Sequence, residues 1–294
     1  MKQPIELRRI RDFGEIINDT FTFLKENFKP LFTALITLCG FFVLAGTATT
    51  VLTQTNLMNM YATKLDTNSY QAARPAISYF MSIMFNTLII VLGQLSIYLV
   101  TLCYISVYLE KKDGKPTLIE VWGYFKYYFL RILGSGFLIT LLFAAGLLMC
   151  IIPGIYLMTV MYLVFPIIVM ENTSFRYAFN KSFKLIKDNW WTVFGIIFII
   201  TLIVGILGSF ASVPLSIIVA AKSFLSLKSF TIPLIILFSL LQNILMLAYC
   251  LSAIAIAMCY FSLSEQKEGL GILSRIDAFG KNNNNSTDLP AEQY

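Results

Sequence analysis

Asn172–Phe194, NTSFRYAFNKSFKLIKDNWWTVF, is the longest polar interruption in the second half of a very apolar chain. Phe175, Phe179, Phe183, Ile186 and Trp190 recur at steps of four, four, three and four, which is one stripe of an α-helix. Arg176, Lys181, Lys184 and Lys187 lie off that stripe, and Trp190 and Trp191 lead into another apolar run. A basic face, an apolar face and a Trp pair at the end predict a helix lying in a membrane interface.

Composition agrees. Of 294 residues, 57% are hydrophobic and 13% charged, with a mean hydropathy of +0.75. A soluble domain carries about 25% charged residues, so a membrane protein is indicated before any span is drawn. The net charge of +6 does not point to nucleic acid, because the charges gather at membrane edges rather than in a patch. Cys39, Cys103, Cys150, Cys250 and Cys259 fall inside apolar runs and read as buried thiols. There is no histidine, which removes the commonest general base and metal ligand. Residues 1–29 do not read as a signal peptide, since the first apolar run starts at Leu31 behind Arg8, Arg9, Arg11, Lys25 and Lys29.

The segment ahead of that run, RDFGEIINDTFTFLKENFKP, has apolar positions at Phe13, Ile17, Phe21, Leu24 and Phe28. Laid without a gap on 175–194, residues 13–32 give identities at Phe13/Phe175, Asn18/Asn180, Phe21/Phe183, Lys25/Lys187, Asn27/Asn189 and Phe32/Phe194. The reading is an internal repeat of one unit, an interfacial helix feeding a transmembrane helix. The alternative is that similar interfacial physics selects similar residues. A weaker third copy lies at 117–131, with Leu118, Trp122, Phe125 and Phe129 on one stripe.

A span needs about 20 residues against a core of about 30 Å. The expectation is therefore an all-α polytopic membrane protein of six transmembrane helices, at about 31–52, 77–109, 132–150, 154–170, 192–221 and 231–263. A hairpin at Ile152-Pro153-Gly154 divides the third from the fourth. Amphipathic interfacial helices at 1–30, 117–129 and 173–190 precede spans 1, 3 and 5. A short helix is expected at 264–280 and a disordered tail at 281–294. With six spans, eighteen Lys and Arg fall on one side and four on the other, including Lys64, Arg74, Lys222 and Lys228. The positive-inside rule then puts both termini in the cytoplasm.

No catalytic constellation, cofactor motif or metal-ligand pattern is present, and no charged residue lies well inside a span. Asn86, Gln94, Gln242 and Asn243 are the intramembrane polar candidates. They read first as hydrogen-bond glue between helices and second as the lining of a pathway. Glu171 reads as a helix-start acid, or as one contacting headgroups or a partner.

Ile152-Pro153-Gly154-Ile155-Tyr156, Pro166, Glu171, Ala178, Ser182, Trp190-Trp191 and Phe194-Gly195 together resemble a bacterial membrane family. So do Phe13-Gly14-Glu15-Ile16 and Asn27-Phe28 at the opening. That family is the membrane domain of glycerophosphoryl diester phosphodiesterase with its YciC-like relatives. The resemblance covers most of 10–263. It implies a multi-pass protein of the bacterial inner membrane and places hydrolysis in a separate soluble barrel, for which this chain has no room. By association with small membrane proteins encoded beside envelope ATPase and scaffold genes, it also implies a complex subunit.

The leading expectation is a non-enzymatic scaffold or anchor of an envelope complex. Arg176, Lys181, Lys184, Lys187, Trp190, Trp191 and Glu171 would meet anionic headgroups or a protein partner. The alternative is a transporter or lipid-handling protein with Asn86, Gln94, Gln242 and Asn243 lining the path.

Overall fold

The structure is a computed structural model that describes residues 6–64, 69–111, 116–149, 151–224 and 231–269. Among these residues every regular element is helical. In order they are α1 (Phe13–Lys64), α2 (Ser69–Glu110), α3 (Leu118–Met149), α4 (Ile151–Tyr162), α5 (Val164–Met170), α6 (Phe175–Ile186), α7 (Trp190–Phe224), α8 (Thr231–Leu245) and α9 (Tyr249–Glu268). A single 3-10 turn at Met246–Ala248 joins the last two. Six helical stretches are long and apolar enough to cross a membrane, with α4–α5 forming the fourth and α8–α9 the sixth. This is the six-span, all-α arrangement expected from hydropathy.

The breaks have local causes. Asp12 and Thr117 each stand three residues before a glutamate, and Glu15 and Glu120 reach back to accept their backbone N–H groups, starting α1 and α3. Pro153 sits in the first turn of α4, where no N–H partner is needed. Gly146 of α3 faces Gly154, so the two backbones meet directly beside the turn. Cys150, at the turn itself, lies outside the described residues. The fourth span breaks at Leu163 because Pro166 has no N–H to offer Tyr162. Asn172 ends α5 in the left-handed region, at φ 50°, while the Thr173 N–H reaches back to the Ile168 carbonyl.

The core is α9. Its side chains at Cys250, Leu251 and continuously from Ala253 to Glu265 are buried, packed by α1, α2, α5, α6 and α7. Alternate alanines at 253, 255 and 257 let these neighbours come close. Large apolar side chains point outward instead, among them Phe80 and Phe85 of α2, Phe137 of α3, and Phe198 and Phe210 of α7. Acyl chains take the place of water on those faces.

Two of the three amphipathic segments are not separate elements. Residues 13–30 are the beginning of α1 and 118–129 the beginning of α3; only 175–186 stands alone, as α6. α1 nevertheless cannot be straight. Arg11 bonds Ser262 at one end and Gly46 abuts Asn243 at the other. Gly46 is 33 residues along α1 from its start at Phe13, about 50 Å of straight helix, but Asn243 and Ser262 are 19 apart on α8–α9, about 28 Å. The chain must bend between them. Pro30 removes one rung, and the Thr33 and Thr37 hydroxyls draw on the carbonyls of Lys29 and Thr33. The stripe Ile16, Thr20, Phe23, Asn27, Leu31 and Ala34 stays buried through the bend, which is why the helix continues across the proline.

The stretch between the spans expected at 31–52 and 77–109 is helical up to Lys64 and again from Ser69. The expected short helix at 264–280 begins as the last turn of α9; its remainder lies outside the described residues, as do Lys228, the turn at 112–115 and the tail at 281–294.

Gly46 marks the tightest crossing. A Cβ there would run into the Asn243 amide oxygen of α8. Gly46→Ala is therefore expected to cost about 1–3 kcal/mol through overpacking. Thermal melting in mild detergent measures the loss, and Gly46→Ala with Asn243→Ser should restore most of it.

Candidate functional site at the basic end

Arginines and lysines from four elements meet at the end of the bundle where α6 lies. The fixed point there is Lys181. It was expected on the exposed basic face of α6, but its side chain is only 10% exposed. Its Nζ pairs with Glu171 Oε1 at 2.8 Å and Glu268 Oε1 at 2.6 Å. The Tyr260 hydroxyl donates to Glu171 at 2.5 Å, and the Ser264 hydroxyl donates to Glu268 at 3.0 Å. One buried cation thus ties the end of α5, the middle of α6 and the end of α9 together. Burial lowers the Lys181 pKa, and the hydrogen bonds its ammonium donates to the two carboxylates outweigh it, leaving the pKa above the ordinary lysine value.

The last turn of α9 adds two more ties. Lys267 donates to the Lys184 carbonyl at 2.7 Å and to Asp188 at 3.0 Å, while Asn189 donates to Gln266 at 3.1 Å. Glu171 is therefore a structural anchor. Its partners, Lys181 and Tyr260, are 10 and 89 residues away, a pairing no local spacing reveals.

Arg176, Lys184 and Lys187 keep their side chains exposed. Phe175, Phe179 and Phe183 form a half-buried ladder on the neighbouring face, and the rings of Tyr156, Trp190 and Phe194 continue it. Trp190 stacks on Tyr156 and Phe194, whereas Trp191 is 78% exposed and free to sit at a membrane–water boundary. The face of α6 packed against the bundle is neither the aromatic ladder nor the exposed basic face, and Lys181 is its one basic residue. It consists of Ala178, Lys181, Ser182, Leu185 and Ile186.

The same end holds a second buried ion group. Arg11 is fully buried at its side chain and donates Nε to Asp19 Oδ2 at 2.7 Å. Its other nitrogens donate to the carbonyls of Leu7, Arg9 and Glu6, so residues 6–11 wrap the guanidinium. The Arg11 backbone N–H donates to Ser262 Oγ at 3.0 Å, docking the segment on α9. Burial pushes the Arg11 pKa down against the pull of Asp19, whereas the hydrogen bond to Asp19 raises that of Arg9. The two groups share a register. Arg9–Asp19 and Glu171–Lys181 are both ten apart, at positions offset by 162, with the signs exchanged. Ile16, Asp19, Thr20 and Phe23 are buried, and so are Ala178, Lys181, Ser182 and Leu185, at the same offset. Sequence reading passed over Arg11 and Asp19. Their signal was a charged residue on the same helical face as Ile16 and Phe23.

The four intramembrane amides divide. Asn86 accepts from the hydroxyls of Thr49 and Thr50 at 2.8 and 3.2 Å, which joins α1 to α2 as hydrogen-bond glue. Gln94, Gln242 and Asn243 instead line a crevice of about 270 Å³ between α1, α2, α7 and α8. It lies far from the basic end, Gln94 being 16 residues, about 24 Å, along α2 from Glu110.

Residues 128–288, just over half of the chain, match the family model described as the membrane domain of glycerophosphoryl diester phosphodiesterase. The matched stretch takes in α4 to α9, and with them α6 and its clasp on α9; Phe13-Gly14-Glu15-Ile16 and Asn27-Phe28 fall outside it. No curated protein and no solved structure matches.

Proposed function

Since the chain belongs to the family of the glycerophosphoryl diester phosphodiesterase membrane domain, and is a multi-pass membrane protein, we propose that it works as a non-enzymatic scaffold or anchor subunit of an envelope complex. The location would be the bacterial inner membrane, with the basic end and both termini in the cytoplasm. The observation that carries this reading is the clasp of α9 on α6, which holds Arg176, Lys184 and Lys187 outward on an immobilised helix. Each such charge is worth up to about 1 kcal/mol toward an anionic surface. A fixed, basic, aromatic-edged platform suits anionic headgroups and an acidic face on a partner protein. The matched burial and inverted ion pairs of residues 9–23 and 171–185 support an internal repeat, two similar units docked on one central helix.

The test separates platform from clasp. Arg176, Lys184 and Lys187 are reversed together to glutamate, leaving Lys181 in place, and the protein is purified from its native membrane in mild detergent. Mass spectrometry should find stoichiometric partners with the wild type and lose them, along with co-purifying anionic lipid, in the triple variant. The melting temperature should not change. Partners retained by the triple variant would overturn the assignment of this surface, and a wild type with no stoichiometric partner would overturn the scaffold itself. A second reading, a lipid-handling protein or transporter with a path between the helices, draws on the crevice around Gln94, Gln242 and Asn243.

A further inference from the structure

The crevice is open to the side. Gly205 and Ser209 of α7 lie on its rim and are exposed, and a Cβ at Gly205 or Gly208 would meet nothing within 4 Å. Because α7 is a membrane-spanning helix, what lies beyond that opening is the bilayer. Its lining is uncharged, with amides from Gln94, Gln242 and Asn243 and the hydroxyl of Thr50. A phosphate brought to this depth would find no counter-charge, and burying it unpaired is far more costly than burying a hydroxyl or an ester.

The polar groups also specify what they lack. Asn243 is 4% exposed and donates its Nδ2 to the Ser239 carbonyl at 2.9 Å. The Gln242 Oε1 is buried with no donor facing it. A buried acceptor in that state calls for an O–H or N–H from a ligand. The amide N–H groups of Gln94 and Gln242 would in turn suit ester carbonyls. About 270 Å³ equals the liquid volume of about nine waters at about 30 Å³ each. That suits a compact polar hub rather than acyl chains, which would lie along exposed apolar positions such as Val91 and Ile206.

We propose that this crevice binds the glycerol-ester region of one uncharged, hydroxyl-bearing glycerolipid, a diacylglycerol in chemical class, entering sideways from the bilayer. The free hydroxyl donates to Gln242 Oε1 and the ester carbonyls accept from the amides. The site is independent of the anchoring role, so either can fail alone.

The experiment places the full chain in phosphatidylcholine nanodiscs. These carry a diacylglycerol or a phosphatidylcholine with the same photoactivatable acyl chain, and labelled peptides are mapped after irradiation. The diacylglycerol should label the α2 and α7 walls of the crevice in preference to the phospholipid. Gln242→Leu should reduce that labelling about fivefold, the worth of one hydrogen bond. Gly208→Leu, whose added Cβ meets nothing within 4 Å, should abolish it. Both variants should melt like the wild type. Equal labelling by the two lipids, labelling that survives both substitutions, or no labelling of these walls would each overturn the proposal; the last would mean that the crevice holds water alone.

Discussion

Replacing Lys181 by methionine is expected to destabilise the protein by about 3 kcal/mol, the lower end of the range for breaking a buried ion pair. The lower end applies because the Glu171 and Glu268 side chains remain 20% and 32% exposed. The loss comes from what stays behind. Two carboxylates would face each other across the gap, with the Tyr260 hydroxyl still committed to one of them. Adding Glu268→Gln should therefore recover part of the loss, an effect that a simple packing defect would not produce. Melting in mild detergent, followed by hydrogen exchange over residues 175–186, reads both effects. A Lys181→Met protein that melts like the wild type would sink the clasp. The raised lysine pKa fixes the pH behaviour. The contribution is fully present below the unfolded value of about 10.4 and disappears only as pH rises through the higher folded value. The lysine therefore makes the clasp no weaker between mildly acidic and mildly alkaline pH.

Asp19→Ala should have a loss of the same order, about 3–5 kcal/mol. It would strand a guanidinium whose side chain is fully buried. Arg9, 40% exposed, contributes little to the group. The three carbonyls around Arg11 would remain, but no anion would balance it. Residues 6–11 are wound on that guanidinium and pinned to Ser262, so they should loosen first. Faster trypsin cleavage after Arg8, Arg9 or Arg11 reads this loosening directly. Asp19→Glu should restore part of the protection. Cleavage at the wild-type rate in Asp19→Ala would show that the ion group does not hold the segment.

The six spans were legible because length and hydropathy govern them. The packing of the amphipathic helices was not. The stripe Phe175, Phe179, Phe183 was read as the apolar face of a helix lying in the membrane interface, with Lys181 on its basic face. In this bundle it is half-exposed, and the buried side holds Ala178, Lys181 and Ser182. When the surroundings are apolar there is no advantage in hiding phenylalanine. Close approach and polar pairing then decide what faces inward, so small and charged residues win those positions. The same inversion concealed Asp19 among apolar neighbours. Gln94 and Gln242 were visible as amides, but whether they touched each other or an open space depended on where α7 carries its glycines.

The position of α9 has a consequence for how the protein is made. The helix that α1, α2, α5, α6 and α7 close around is synthesised after them. Until Tyr249–Glu268 emerges and inserts, Lys181 has no Glu268, Ser262 is not there to receive the segment at Arg11, and α1, α2 and α7 lack the helix they share as a packing partner. The five earlier spans therefore stand in the membrane without the helix that completes their packing. Assembly is completed by a single late event, and the cell can discard any chain in which that event fails.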